Sequence, residues 1–191
     1  FDPATRRFVD VPLRSITPPP SVNLYLYAIC QTADGSLWVG GSHGLFHALP
    51  TPAGQTTPEF FQVALHSPGD RSARSIEYHN FVYTVVASRR QPNTIWLGNK
   101  KGLNLLSFTP GTAAQNVQIQ HFGHNASDPQ SLSHDFATAV CEGDFPQKNA
   151  VWVATFNGLN LLDPDTGKFR RFYTSTNPAS GLNANNVRSL F

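Results

Sequence analysis

The sequence predicts an all-β protein, a partial β-propeller built of four-stranded antiparallel blades, on three observations. Leu37-Trp38-Val39-Gly40-Gly41-Ser42-His43-Gly44-Leu45, Ile95-Trp96-Leu97-Gly98-Asn99-Lys100-Lys101-Gly102-Leu103 and Val151-Trp152-Val153-Ala154-Thr155-Phe156-Asn157-Gly158-Leu159 share one spacing: Trp, a small residue two places on, then Gly-Leu. The three Trp recur at intervals of 58 and 56 residues. Runs of β-branched and aromatic residues bounded by turn signals fill each interval, and no segment carries a sustained i, i+3, i+4, i+7 apolar stripe. Four-stranded units longer than the roughly 40–45 residues of a WD repeat fit propeller blades with enlarged loops.

Each copy reads as strands A to D. They fall near Leu26–Gln31, Leu37–Gly40, Leu45–Leu49 and Glu59–Val63 in the first copy and 81–86, 95–98, 103–106 and 117–122 in the second. The third gives 136–141, 151–154, 159–162 and 168–173, and 186–191 begins a fourth A strand. Blades are therefore expected at 24–65, 80–122 and 135–173, with 185–191 the first strand of a next blade. Phe1-Asp2-Pro3-Ala4-Thr5-Arg6-Arg7-Phe8 repeats the pattern of Leu162-Asp163-Pro164-Asp165-Thr166-Gly167-Lys168-Phe169, so 1–15 is expected to end a preceding blade. About three full blades plus partial ones at both ends fall short of the four to eight of a closed ring, which makes the chain a fragment of a larger propeller.

Within a copy, His43-Gly44, Lys101-Gly102 and Asn157-Gly158 suit a B–C hairpin that needs positive φ. Trp on strand B is large enough to fill the space between neighbouring sheets, and Gly40, Gly98 or Ala154 leaves room for that neighbour. The D strands alternate polar and apolar, as outer, half-exposed strands do.

Composition narrows the partners. With 40% apolar and 12% aromatic residues a sizeable core can form, while 14% charged residues and a net charge of +2 give no strong field to draw in nucleic acid or an anionic membrane, despite a pI near 8.7. A neutral or polar partner is expected. The sequence has no Met, no apolar stretch long enough to span a bilayer and no signal peptide. Cys30 and Cys141 occupy corresponding places two repeats apart, too distant for a disulfide, and read as two buried thiols.

The combination of strand–Trp–strand–Gly–Leu, then Asp163-Pro164-Asp165-Thr166-Gly167-Lys168-Phe169, and the loop His124-Asn125-Ala126-Ser127-Asp128-Pro129-Gln130-Ser131-Leu132-Ser133-His134-Asp135 resembles the two-component regulator propeller repeat. The third copy is nearest the pattern, and the first departs at Gly41-Ser42-His43. The resemblance implies a seven-bladed parent and a place in the periplasmic sensor region of a hybrid histidine kinase or diguanylate cyclase, where many relatives sense oligosaccharides. It implies no fixed set of ligand residues.

Several motifs have plainer readings. Gly40-Gly41-Ser42-His43-Gly44 matches the G-x-S-x-G of a hydrolase elbow, but a strand follows it and the aligned segments lack Ser, so it reads as a hairpin. His121 and His124 with Asp128, His134 and Asp135 could in principle collect a metal, but lack a zinc spacing and read as strand-end and loop polarity. Arg89-Arg90 and Arg170-Arg171 are too short for a phosphate-tracking stripe and read as solvated edges. Asn125-Ala126-Ser127 is a glycosylation sequon only where the source glycosylates.

Topology supplies the candidate site. In an up-and-down blade the B–C and D–A connections share one end, which gathers Tyr25, His43, Tyr78, His79, Asn80, Lys100, Lys101, His134, Asp135, Phe156, Asn157, Asn185, Asn186 and Arg188 around the central opening. Aromatic faces beside amides and charges suit a carbohydrate. The expected function is extracytoplasmic sensing of an oligosaccharide or other small polar ligand, with no catalytic residue, cofactor or metal in this chain and signalling domains outside it. A propeller lyase or glycosidase would need two acid–base groups facing across the opening, and a protein-interaction scaffold a broad apolar patch. Open blade edges also lead to an expected homodimer.

Overall fold

Each repeat folds into one antiparallel sheet whose strands follow chain order, because short β-rich runs joined by tight turns pair most readily with their sequence neighbours. The protein, in a computed structural model, is described over residues 6, 13–14, 24–53, 57–65, 79–112, 117–146, 150–175 and 181–190. The first sheet holds β2 (Leu26–Gln31), β3 (Leu37–Gly41), β4 (Gly44–Ala48) and β5 (Phe60–Val63). The second holds β6 (Val82–Ala87), β7 (Thr94–Asn99), β8 (Gly102–Ser107) and β9 (Gln118–Phe122), and the third β10 (Ala137–Gly143), β11 (Ala150–Thr155), β12 (Gly158–Asp163) and β13 (Lys168–Phe172).

At the start of the described residues, β1 (Leu13–Arg14) pairs in parallel with β5, Leu13 opposite Phe60, as a fifth strand on the outer edge of the first sheet. The polar D strand would otherwise offer that edge an unpaired row of backbone groups. Residues 186–190 form no strand. With no following strand to pair with among the described residues, they lie along the turn end of the third sheet. Val187 N–H donates to Thr155 O, and Gly158 N–H to Asn185 O.

The B–C turns bring the expected positive φ, at Gly44, Gly102 and Gly158. Each loop is two residues long, Ser42-His43, Lys100-Lys101 and Phe156-Asn157, and none of these has positive φ. The positive φ falls on the glycine that opens strand C, +134° at Gly102. A Cβ there would sit 2.3 Å from the carbonyl oxygen of Phe122 on β9, so glycine is needed for close approach to strand D as well as for its dihedral.

The core lies between sheets. Trp38, Leu45 and Val63 of the first pack against Val82, Val85, Ile95, Leu97 and Leu106 of the second. Trp96 and Leu103 of the second pack against Val140, Val151, Val153 and Leu162 of the third. Each such side chain stabilises the stack by about 1.5–3 kcal/mol. Trp38 and Trp96 are 0% and 2% exposed, whereas Trp152, on the third sheet, is only half-buried, with its ring 5.5 Å from Phe172. The small residue two places after Trp has the expected purpose. A Cβ on Gly40 would lie 2.6 Å from Val82 Cγ1, and one on Gly98 2.6 Å from the Ala137 carbonyl oxygen, both on the next sheet.

The A strands carry one bulge each, at the same place: the register skips Tyr27 in β2, Tyr83 in β6 and Thr138 in β10. A bulge leaves its residue out of the ladder and re-aims its side chain. Cys30 and Cys141 are free thiols, half-buried instead of buried, and enclosure pushes the Cys30 thiol up to about 11.

Candidate functional site

The B–C turns and the ends of the D–A loops meet at one end of the sheets, held by backbone groups. Ser42 N–H donates to Tyr25 O (2.8 Å) and Phe156 N–H to Phe136 O (3.2 Å), while the Asn99 side-chain amide donates to His79 O (3.1 Å). These bonds fix the residues that lead into strand A beside those at the end of strand B.

Aromatic side chains form a row along this end. Tyr27 lies 5.5 Å from Phe81 and 6.0 Å from Tyr83, Tyr83 is 6.3 Å from Phe156, and Phe156 is 5.2 Å from Phe136 and 6.2 Å from His134. The row crosses both sheet boundaries, Tyr27 to Phe81 and Tyr83 to Phe156. Its tyrosines are the bulge residues of β2 and β6. Burial raises the pKa of Tyr83, with nearby Tyr27 adding to the effect and Arg188 opposing it, so its hydroxyl is protonated at neutral pH. Lys100 Nζ sits 3.7 Å from the centre of the Phe81 ring, a cation–π contact.

Where the row passes from the second sheet to the third it borders a cleft of about 410 Å³, lined by Lys100, Lys101, His124, His134, Asp135, Phe136 and Phe156. Its loop side is internally braced. Asp135 Oδ1 accepts from His124 N–H (2.7 Å), His134 Nδ1 accepts from Phe136 N–H (3.0 Å), and His124 Nδ1 lies 2.8 Å from Leu132 O. Beneath it Asn160, fully buried, holds Ser133 from both sides of its amide. Arg171 donates to the carbonyls of Asp128, Ser131 and Leu132 and to Ser131 Oγ. It is therefore a clamp on the loop, not part of a solvated edge. Arg90 likewise pairs with Asp165 of the third sheet at 2.8 Å.

Of the residues expected at the site, Lys100, Lys101, His134, Asp135 and Phe156 converge on the cleft. The other described ones stand apart from its lining. Tyr25 is 58% exposed, with its N–H donating to Ser42 Oγ, and His43 Nδ1 lies 2.8 Å from the same oxygen. His79 holds Asn99 through its carbonyl, Asn157 sits on an exposed turn, and Asn186 and Arg188 are exposed on the final segment. Tyr78 lies outside the described residues. Tyr27, Phe81, Tyr83, Phe136 and His124 were not expected at the site. For Tyr27, Phe81 and Tyr83 the sequence signal is the i, i+2 aromatic spacing of Tyr25-Tyr27 and Phe81-Tyr83, which points alternate strand A residues to one side.

The G-x-S-x-G segment is the β3–β4 hairpin, as expected. Of the histidines weighed as metal ligands, His121 Nδ1 lies 2.9 Å from Asn104 Oδ1 instead, and the described residues contain no group of three His, Cys, Asp or Glu placed to hold an ion.

Residues 20–43 match the model of the two component regulator propeller family. The match falls on the first copy, not the third, and covers strand A, the A–B turn and strand B. No curated protein matches the chain.

Among solved structures, this propeller resembles the extracellular domain assigned to the hybrid two component system BT3049 of B. thetaiotaomicron, with a TM-score of 0.62 and 24% identity over 86% of the chain. It also resembles two structures of the extracellular domain of BT4673 from the same organism. One, described as a hybrid system, has a TM-score of 0.61 and 19% identity over 87% of the chain; the other, described as a one component system, has 0.65 and 18% over 98%. The chain spans 20%, 19% and 21% of the chains in those three structures. Likeness at such identity establishes the fold.

Proposed function

We propose that this chain is part of an extracytoplasmic, periplasmic sensor propeller of a two-component receptor, which takes up an oligosaccharide or similar small polar ligand at the cleft. The signal passes to domains elsewhere in the parent protein. The observation that carries this reading is the aromatic row beside the cleft: ring faces at 5–6 Å spacing next to lysine, imidazole and carboxylate groups suit sugar rings, whose C–H faces stack and whose hydroxyls bond. The matched repeat and the extracellular assignment of the similar structures support a sensor role. No helix among the described residues is long and apolar enough to cross a membrane. Asp135 is the one carboxylate among the described residues lining the cleft, which favours binding over the paired-carboxylate chemistry of a glycosidase.

Calorimetry of the full-length protein against a panel of neutral and acidic di- to tetrasaccharides tests the reading. At least one should bind, and Phe156→Ala should weaken it about tenfold, ~1.4 kcal/mol. Absence of any saccharide binding, or binding indifferent to Phe156→Ala and Tyr83→Ala alike, sinks it. The homodimer is proposed through the half-buried Trp152 and Phe172 face, and light scattering that shows a monomer at high concentration counts against it.

A further inference from the structure

Three rings of the aromatic row come from three different sheets: Tyr27 from the first, Tyr83 from the second and Phe156 from the third. Tyr27 is exposed, and Tyr83 and Phe156 are half-buried. Phe81 backs this series instead of extending it. Its plane lies 27° from that of Tyr27, and Lys100 Nζ sits over its ring. The centroid steps, 6.0 Å from Tyr27 to Tyr83 and 6.3 Å from Tyr83 to Phe156, are comparable with the advance per sugar of a pyranose chain. The cleft beside Phe156, at about 410 Å³, is small for a ligand pocket and holds only the end of such a chain.

The planes of the three rings are not parallel. They differ by 32° between Tyr27 and Tyr83 and by 46° between Tyr83 and Phe156. The fold builds this turn in, because each ring rides on its own sheet, successive blades are rotated about the propeller axis, and the bulge at each tyrosine adds local twist. A flat ribbon of sugars that stacks on one ring meets the next at an angle. A chain whose sugar planes turn from unit to unit can lie on all three.

We infer that the site selects a twisted oligosaccharide of at least three sugars over a flat one, with Tyr27, Tyr83 and Phe156 each stacking on one unit. This rests on the proposed saccharide site and specifies the chain geometry it takes. No covalent bond changes; selection lies in the apolar area that a fitting chain covers.

The test is calorimetry of the full-length protein with uncharged probes: maltotetraose and laminaritetraose, which curl, cellotetraose and mannotetraose, which are flat, and maltose and laminaribiose. The better curled tetrasaccharide should bind at least about tenfold more tightly than either flat one and than its own disaccharide. Tyr27→Ala should shrink that advantage over the disaccharide to below about threefold, whereas Tyr27→Trp, which keeps an aromatic face, should retain it. A thermal melt of Tyr27→Ala matching the parent protein's excludes misfolding as the cause. A flat tetrasaccharide that binds as tightly as the curled ones, a tetrasaccharide no better than its disaccharide, or a length advantage that survives Tyr27→Ala overturns the inference and leaves the saccharide site standing. Failure of all these probes while another saccharide binds also overturns the inference alone. Failure of every saccharide to bind overturns the site and the inference together.

Discussion

Glu142 on β10 accepts the indole N–H of Trp96 on β7 at 2.6 Å, joining the third sheet to the second through a buried carboxylate. The same group takes Ser88 Oγ at 2.8 Å and Arg89 N–H at 2.5 Å. At the junction of the first and second sheets the corresponding indole, that of Trp38, turns inward to Thr32 Oγ1 of its own sheet at 3.2 Å. The repeats thus share a Trp but not its acceptor. Glu142→Ala would leave three donors without their acceptor and should cost about 3 kcal/mol in urea denaturation, with Glu142→Gln losing less. A loss below about 0.5 kcal/mol for the alanine variant would show that the carboxylate does not join the sheets.

Gly98 should not tolerate a methyl group. Gly98→Ala places its Cβ 2.6 Å from a backbone oxygen of the next sheet, which cannot rotate away, and should destabilise by about 1–3 kcal/mol. Gly143→Ala, with nothing within 4 Å of the added atom, is the control and should stay within about 0.5 kcal/mol. Equal melting temperatures for the two variants would refute the close approach.

His47 makes stability depend on pH. It is buried between Trp38 and Phe108, rings at 4.1 and 6.4 Å, and burial depresses its pKa, with Asp34 opposing. Its folded pKa lies below its unfolded value of about 6.5, so the neutral form's stabilisation is complete above that pH and is lost as pH falls through the folded pKa. Unfolding free energy measured from pH 7.5 to 5 should fall less steeply in His47→Phe than in the parent protein. Superimposable slopes would remove His47 from the account.

Arg171→Met should loosen the loop that bears His124, His134 and Asp135, because a thioether cannot donate to three carbonyls at once. Amide exchange should quicken over 124–135, while the central strand β11 keeps its protection. Unchanged exchange in the loop would mean that Asn160 alone holds it.

The Trp, Gly and Leu positions made the sheets legible in the sequence because packing between sheets demands those sizes at fixed spacing. The end of the sheets that carries the cleft was legible too, since it follows from strand order. What was not legible was the source of its aromatic lining. Tyr27, Tyr83 and Phe136 read as ordinary members of strand A, and only the bulge, a matter of pairing register, takes the tyrosines out of the ladder. The Leu13-Arg14 strand was not legible for a related reason: two residues have no period, and their partner is set by the open edge of β5 and not by a pattern of their own. Arg171 read as a surface charge because its acceptors are loop carbonyls some 40 residues away in the chain.

The aromatic row runs over three sheets that share no backbone ladder. Tilting one sheet against the next by a few degrees would leave every strand intact yet pull Tyr83 away from Phe156 or Tyr27 from Phe81. A rigid ring system resting across those junctions would act as a splint, favouring the tilt at which all the rings touch it. Occupancy at the cleft and the angle between neighbouring blades are then two readings of one quantity, and a change in either can be followed by watching the other.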